Sequence, residues 1–583
     1  MILFLFAGEK LNKLLFIIST MDFKEEIVEL LAQETKLKRE ELMNLISVPP
    51  NSAMGDYAFP CFKLGKNPKE EGEKLRSKLI LPNAFSKVEV AGPYLNFYLN
   101  HHYLAEQTLK TIYRERKYYG KEDLGKGKRV VIDFSSPNIA KPFGIGHLRS
   151  TVIGNCLYKL HNFLGYKAIG VNHLGDWGTQ FGKLIVAYTK WGNETELQQD
   201  PIKYLLKLYV RFHDEAERDA SLNDLARDEF KKLEDGQKEA LRLWELFREL
   251  SLAEFKKIYR LLDVEFDSYT GEAFYSNVLN QTIEEVKRRI LTEISEGALI
   301  VNLEKYNMAP VLLRKSNGTT SYHTRDLAAI FYRIQKYKAN KLIYVVGQEQ
   351  KLHFQQLFKV MELMKYDTEM FKHVDFGLFK FPEGKMSTRK GNVIFLEEVL
   401  DKAIDLVRKL IEEKNPDLKN KEEVARQVGV GAIIFADLSN DRVRDINFDW
   451  DRMLSFEGET GPYLQYTHAR ACSILRKAES ERKMGSSEKV NYDYFQLEEE
   501  LKVIRQLDKF NAVLKDVLKT YKQHTLARYL LDLAQAFNEF YHQCPVLSDQ
   551  MQATKARLLL VDCVRQVLAN GLDLMGIKAP EEM

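Results

Sequence analysis

The chain has 583 residues, 45% hydrophobic and 29% charged, ordinary values for globular protein that exclude general disorder or a collagen-like fold. At roughly 100–200 residues per domain, three to five domains are expected. The 86 Lys and Arg residues against 83 Asp and Glu leave a formal net charge of +3, which excludes a polycationic coat and confines any nucleic-acid contact to local basic surface.

In chain order, residues 1–20 (MILFLFAGEKLNKLLFIIST) come first. They lack the leading basic stretch of a signal peptide, and with no arginine but an acidic Glu9 they do not suit a mitochondrial presequence. They are expected to be an upstream extension, with the natural start at Met21, where Ile27, Leu30 and Leu31 begin a helical spacing. From 21 to about 125, short helical patterns alternate with strand-like Val88-Glu89-Val90 and Tyr94-Leu95-Asn96-Phe97-Tyr98, a small α+β domain ending at Gly125-Lys126-Gly127-Lys128. Arg129-Val130-Val131-Ile132-Asp133-Phe134 then has the β-branched density of a buried strand. Leu148, Val152, Cys156 and Leu160 recur at helical spacing until Gly165, and Lys167–Leu174 is a second strand. Strand, helix, strand over so short a span makes a parallel βαβ unit. A charged helical stretch from about 195 to 300 interrupts the sheet, whose strand signal returns at Leu342-Ile343-Tyr344-Val345-Val346. After about 455 the pattern is helical, broken by a polar loop at Glu479–Lys489. Cysteines 61, 156, 472, 544 and 563 are scattered without a C-x-x-C pair, so no disulfide framework or Cys-rich zinc site is expected, and a reducing, cytoplasmic setting fits. No run of about 18 apolar residues predicts a membrane-spanning helix.

Two segments carry chemistry. Ser135-Ser136-Pro137-Asn138-Ile139-Ala140-Lys141-Pro142-Phe143-Gly144-Ile145-Gly146-His147 joins the first strand of the βαβ unit to its helix. Open parallel sheets bind ligands at such a place, and a helix N-terminus favours a phosphate. By itself the segment is equally compatible with a plain capped turn. Gly384-Lys385-Met386-Ser387-Thr388-Arg389-Lys390-Gly391 sets four donors between glycines, enough to stabilise a triphosphate in its transition state. Alone, it would be an ordinary solvated basic loop.

Taken together, the two segments resemble the HIGH and KMSKS signatures of class I aminoacyl-tRNA synthetases. Ser136-Pro137-Asn138-Ile139-Ala140-Lys141-Pro142, Leu174-Gly175-Asp176-Trp177-Gly178, Thr324-Arg325-Asp326 and Gly461-Pro462-Tyr463-Leu464-Gln465-Tyr466 narrow the resemblance to the arginyl-tRNA synthetases, over about Met21 to Met583. It implies a Rossmann-like parallel-sheet α/β catalytic domain (126–454, with its helical insertion at about 195–300), a tRNA-contacting α+β domain (21–125) and an all-α anticodon-binding domain (455–583). The implied activity is ATP-dependent activation of L-arginine and its transfer to tRNA(Arg), with Mg²⁺ arriving on ATP and the protein acting as a monomer.

Residue by residue, the resemblance implies that Ser136, Pro137, Asn138, His147, Tyr322, Asp326 and Gln350 bind arginine. Gly144, Gly146, His147, Lys385, Met386 and Ser387 would bind ATP, His147 and Lys385 would be catalytic, and Tyr94 and Asn96 would meet tRNA. A carboxylate such as Asp326 suits a guanidinium, which is a planar fork of donors. Without the family, Thr-Arg-Asp is also compatible with an internal ion pair, and Tyr94 and Asn96 with hairpin core. The chain departs from the pattern at Gly144, where HIGH has its first histidine, and at Arg389, where KMSKS has its second lysine. The alternatives are a cysteinyl-type synthetase, which the scattered cysteines disfavour, a synthetase-like RNA-binding protein without catalysis, and a small-molecule adenylyltransferase, which leaves both ends of the chain unused.

Overall fold

Strand β1 (Tyr57–Pro60) pairs antiparallel with β3 (Tyr94–Leu99), and β3 pairs antiparallel with β2 (Phe85–Ala91), in the order β1-β3-β2. The computed structural model describes residues 23–380, 394–481 and 490–583. The Phe23–Glu34 helix turns Phe23, Ile27, Val28 and Leu31 inward, close to the spacing expected after Met21.

This sheet belongs to a unit assembled from distant parts of the chain: residues 23–119, Ile474–Asn511 and Gln535–Gln566. The His101–Glu115 helix packs on the Glu498–Asp508 helix. Arg505 Nε meets Asp56 Oδ1 at 3.0 Å, and Tyr119 donates its hydroxyl to Leu507 O. The helical C-terminal sequence is therefore divided between units, because part of its apolar surface is buried against the N-terminal helices. The Gly461–Ser480 helix runs through Glu479, where a loop was expected, and residues 482–489 of that loop lie outside the described residues.

The second unit spans Gly120–Ser473, Ala512–Ala534 and Val567–Met583. Strand β4 (Arg129–Asp133) pairs in parallel with β5 (Lys167–Val171). After β5 come the insertion helices Thr179–Trp191, Pro201–Arg218, Ser221–Glu234, Lys238–Leu262 and Leu279–Arg289, and then a small antiparallel sheet of β6 (Glu293–Ser295), β7 (Ala298–Val301) and β8 (Val311–Arg314). The chain returns to the main sheet as β9 (Lys341–Gly347) and β10 (Phe371–Phe376), all parallel, in the order β10-β9-β4-β5. Val130, Val131 and Ile132 are fully buried, as a parallel strand covered on both faces requires. The Gly146–Phe163 helix lies so close to β4 that a Cβ on Gly154 would stand 2.3 Å from the Phe134 side chain. β4 has β5 on one side and β9 on the other, so the chain changes direction at the β4–β9 boundary. Ligands enter such sheets at that crevice, beyond the carboxyl ends of the strands.

Candidate active site

At the end of β4, Asp133 is ion-paired with Arg333 at 2.7 Å and accepts a hydrogen bond from Ser136 Oγ at 2.8 Å. Ser136 Oγ in turn accepts the His173 amide at 3.1 Å. The chain turns sharply here: Ser135, Ser136 and Ala140 have φ of +67°, +48° and +57°, strained for residues with a Cβ. Side chains hold the strain in place. Ser150 Oγ accepts the Ser135 amide at 2.9 Å while donating to Val345 O, and Ser251 Oγ accepts the Ala140 amide at 2.9 Å. Pro137 is buried and Asn138 exposed. Asn138 pairs with Gly175 in a short parallel bridge, and a Cβ on Gly175 would fall 2.0 Å from Asn138 Oδ1.

The helix begins at Gly146, which is exposed, with nothing within 4 Å of where its Cβ would be. An anion can therefore approach the backbone closely at Gly146, while the next two amides are engaged within the turn, His147 N with Gly144 O at 2.9 Å and Leu148 N with Ile145 O at 3.1 Å. His147 Nδ1 lies 3.3 Å from Gly144 O. A carbonyl only accepts, so Nδ1 carries the proton. Burial pulls the His147 pKa down to about 4, with Lys141 adding to the effect and the Gly144 carbonyl opposing it. The imidazole is therefore neutral at pH 7, and its Nε2 holds a lone pair.

Lys385, Met386 and Ser387 lie outside the described residues. The segment that follows them is stitched to the same loop: Ile145 N donates to Ile394 O at 3.2 Å and Leu396 N to Phe143 O at 2.9 Å, making a bridge between Gly144 and Phe395. Gly144 is buried in that bridge.

Across the crevice, the Tyr322–Tyr337 helix starts with an exposed Tyr322 and presents Asp326 one turn later. The Asp326 side chain is 29% exposed and sits 2.7 Å from His353 Nε2. Burial would raise its carboxyl, but the His353 hydrogen bond and the charges of His353, His173 and Arg333 hold it below the usual carboxylate range. Gln350 is exposed on the turn that leaves β9. The structure thus gathers Ser136, Pro137, Asn138, Gly144, Gly146, His147 and Gln350 at the carboxyl ends of β4 and β9. Tyr322 and Asp326 join them through the Arg333–Asp133 pair.

Tyr94 and Asn96 lie in the other unit. Tyr94 is 41% exposed and meets the exposed Phe62 edge-on at 6.4 Å. Asn96 is 5% exposed, so its side chain belongs to the hairpin core.

Sequence reasoning missed Glu272. It follows Gly271 in a 3₁₀ turn whose amides bond Leu174 O and Asp176 Oδ1. Asp176 also accepts Arg248 Nε at 3.0 Å, so the Leu174–Gly178 motif fastens the insertion to the β5 loop. Burial pushes the Glu272 carboxyl up to about 7; Arg325, 4.0 Å away, opposes this, and Asp326 and Asp176 reinforce it. Glu272 thus feels a cation, Arg325, and a second carboxylate, Asp326, at once. His353, also missed, could have been suspected only from its position three residues after Gln350.

Comparison with known proteins agrees with this geometry. Residues 108–450 match the family model "tRNA synthetases class I (R), catalytic domain", 464–583 the "DALR anticodon binding domain", and 21–99 the "Arginyl tRNA synthetase N terminal domain". An arginine–tRNA ligase of Clostridioides difficile (strain 630) is 51% identical over 96% of this chain and 100% of its own. One of Halothermothrix orenii is 49% identical over 97% and 100%. The solved Thermus thermophilus arginyl-tRNA synthetase superposes with a TM-score of 0.81 at 26% identity, covering 96% of this chain and 99% of that one. The Plasmodium falciparum arginyl-tRNA synthetase gives 0.76 at 26% identity over 92% and 94%. With matches that run the length of the chain and a class I crevice at the end of β4, this chain belongs to the arginyl-tRNA synthetase family.

Proposed function

We propose that this chain activates L-arginine with ATP, releasing pyrophosphate, and passes the arginyl group to the 3′-terminal adenosine of tRNA(Arg). One observation carries the reading: an open helix N-terminus at Gly146 and a partly exposed carboxylate at Asp326 stand on either side of one crevice, joined through the buried Arg333–Asp133 pair. The first suits phosphates, and the second suits a guanidinium bound through two parallel hydrogen bonds.

Asp326 binds the guanidinium, Tyr322 lays its ring beside it and Glu272 adds a second carboxylate. Ser136, Asn138 and Gln350 orient the α-amino and carboxylate end, so that a carboxylate oxygen attacks the α-phosphate. The Gly146 amide, at the open start of the helix, holds a phosphate oxygen. His147 Nε2 has no proton to donate while the ring is neutral, and an anionic phosphate beside it favours the imidazolium. Nucleotide and proton therefore arrive together, and the resulting cation stabilises charge developing at phosphorus. Lys385, Met386 and Ser387 complete the phosphate site.

The donors at the phosphate end are N–H groups and imidazole rather than carboxylates, which fits Mg²⁺ held by the triphosphate and water. Tyr94 with Phe62 is the tRNA-contacting pair in the N-terminal unit. No helix among the described residues is long and apolar enough to cross a membrane. All five cysteines are buried free thiols, which supports a reducing, cytoplasmic setting, and we infer a monomer.

The test is aminoacylation of total tRNA with each of the twenty amino acids. Charging by arginine alone is expected. Charging by another amino acid, or none at all, would overturn the reading.

A further inference from the structure

We propose that His353 is a positioning residue that fixes the plane of the Asp326 carboxylate and thereby sets the enzyme's affinity for arginine. The inference rests on Asp326 as the guanidinium-binding carboxylate.

The terminal torsion of an aspartate is soft, with broad, roughly two-fold preferences. A carboxylate at the mouth of a crevice therefore turns freely unless something holds it, and a guanidinium bound through two parallel N–H bonds needs both oxygens in its own plane. Here something does hold it. His353 Nε2 lies 2.7 Å from Asp326 Oδ2, and since a carboxylate oxygen only accepts, Nε2 carries the proton.

The imidazole itself has little freedom. Its side chain is 11% exposed and is packed by Phe354, Tyr322 and His323 at ring separations of 5.3, 5.1 and 4.7 Å. The Lys351–Leu363 helix carries it. Nδ1 is buried with no hydrogen-bond partner among the described residues, so no competing bond draws the ring away. Oδ2 keeps its second lone pair and Oδ1 both of its own, enough for the two N–H groups of a guanidinium.

The arrangement also explains why His353 follows Gln350 so closely. The turn leaving β9 places Gln350 in the crevice, and the first turn of the next helix brings the imidazole behind the carboxylate.

The experiment uses the full chain with tRNA(Arg) present. It compares His353→Leu, His353→Gln, Asp326→Asn and the double variant His353→Leu/Asp326→Asn by steady-state KM for arginine and for ATP. A hydrogen bond to a charged group is worth roughly ten- to hundredfold in binding. His353→Leu should raise the arginine KM by about tenfold or more and move the ATP KM by less than about twofold. His353→Gln, whose amide nitrogen sits near the position of Nε2, should recover most of the loss. The double variant should be no worse than Asp326→Asn alone, because without the carboxylate there is nothing left to orient. Should His353→Leu fail to fold, His353→Gln against the shorter His353→Asn makes the same comparison.

An arginine KM unchanged in His353→Leu, or additive effects in the double variant, overturns the inference while leaving the pocket intact. An arginine KM unchanged in Asp326→Asn overturns the pocket assignment itself, and the inference falls with it.

Discussion

Arg333 and Asp133 face each other at 2.7 Å with side chains 2% and 8% exposed, joining the helix that opens with Tyr322 to the strand that leads into Gly146. Burial alone would make the guanidinium easier to deprotonate, but Asp133 reverses this and keeps it firmly cationic. The pair is thus a charged rivet between the two walls of the crevice.

Removing one partner of a buried pair strands the other charge and costs about 3–5 kcal/mol. Arg333→Met should therefore destabilise the protein by about that amount in urea unfolding. It should also impair both substrates, because Asp133 orients Ser136. A stability change below about 1 kcal/mol would show that water reaches the pair.

Gly175→Ala should separate activity from stability. The new methyl would stand 2.0 Å from Asn138 Oδ1 and 3.3 Å from Asn138 Cα; Asn138 is exposed, so its side chain can swing away and the backbone need give only by a few tenths of an ångström. It then no longer sits where the substrate needs it. Misplacing a positioning group costs roughly ten- to hundredfold in rate. Aminoacylation should fall by that factor with the thermal midpoint nearly unchanged. Retained activity would remove Asn138 from the site.

Much of this architecture was legible in the sequence. Leu148, Val152, Cys156 and Leu160 all proved buried on one helix, and Gly165 ends it at φ +82°, because local periodicity and a left-handed glycine are written in adjacent residues. Asp326 and Tyr322 were reachable only through resemblance, since a carboxylate in Thr-Arg-Asp has no local mark of its partner. Glu272 was illegible: it acquires its meaning from Asp326, which the chain reaches only beyond a second sheet. Asn96 misled because alternation puts it on the same face as the exposed Tyr94. β3 is the central strand, however, and the turn at Gly55 covers that residue, with the Cβ position of Gly55 3.4 Å from Asn96 Cβ. The mixed first unit was also hidden, because contacts between residues up to 119 and those beyond 474 leave no local pattern.

Glu272 predicts a pH dependence. Its folded pKa of about 7 lies above the ordinary value of 4.5, so the carboxylate is ionised above pH 7 and neutral below. Arginine's guanidinium stays charged throughout, and the attraction is lost as pH falls. For a single titrating group at 7, the arginine KM should rise about tenfold between pH 8 and pH 6. Glu272→Gln should show a weaker but flat profile over that range. A variant that keeps the parent's slope would place the titrating group elsewhere.

His147 should report its protonation directly. In the free protein its pKa is about 4, below the ordinary 6.5, and Nδ1–H is engaged with Gly144 O. A phosphate arriving at Nε2 stabilises the imidazolium and raises the pKa. At any pH between the free and bound values, the complex holds more protons than the separated partners, so ATP affinity must weaken as pH rises through the bound pKa. Calorimetry of ATP binding at pH 6, in buffers of different ionisation enthalpy, should therefore register net proton uptake approaching one per site. His147→Ala provides the control, since ATP's own titration is common to both proteins and cancels in the difference. That variant should lose the uptake and, with it, about a hundredfold or more in single-turnover adenylate formation with tRNA present, because a donor aimed at the developing charge has gone. Equal proton uptake by the parent and His147→Ala would mean that the ring stays neutral in the complex. The phosphate would then be held by the Gly146 amide and Lys385, without the histidine.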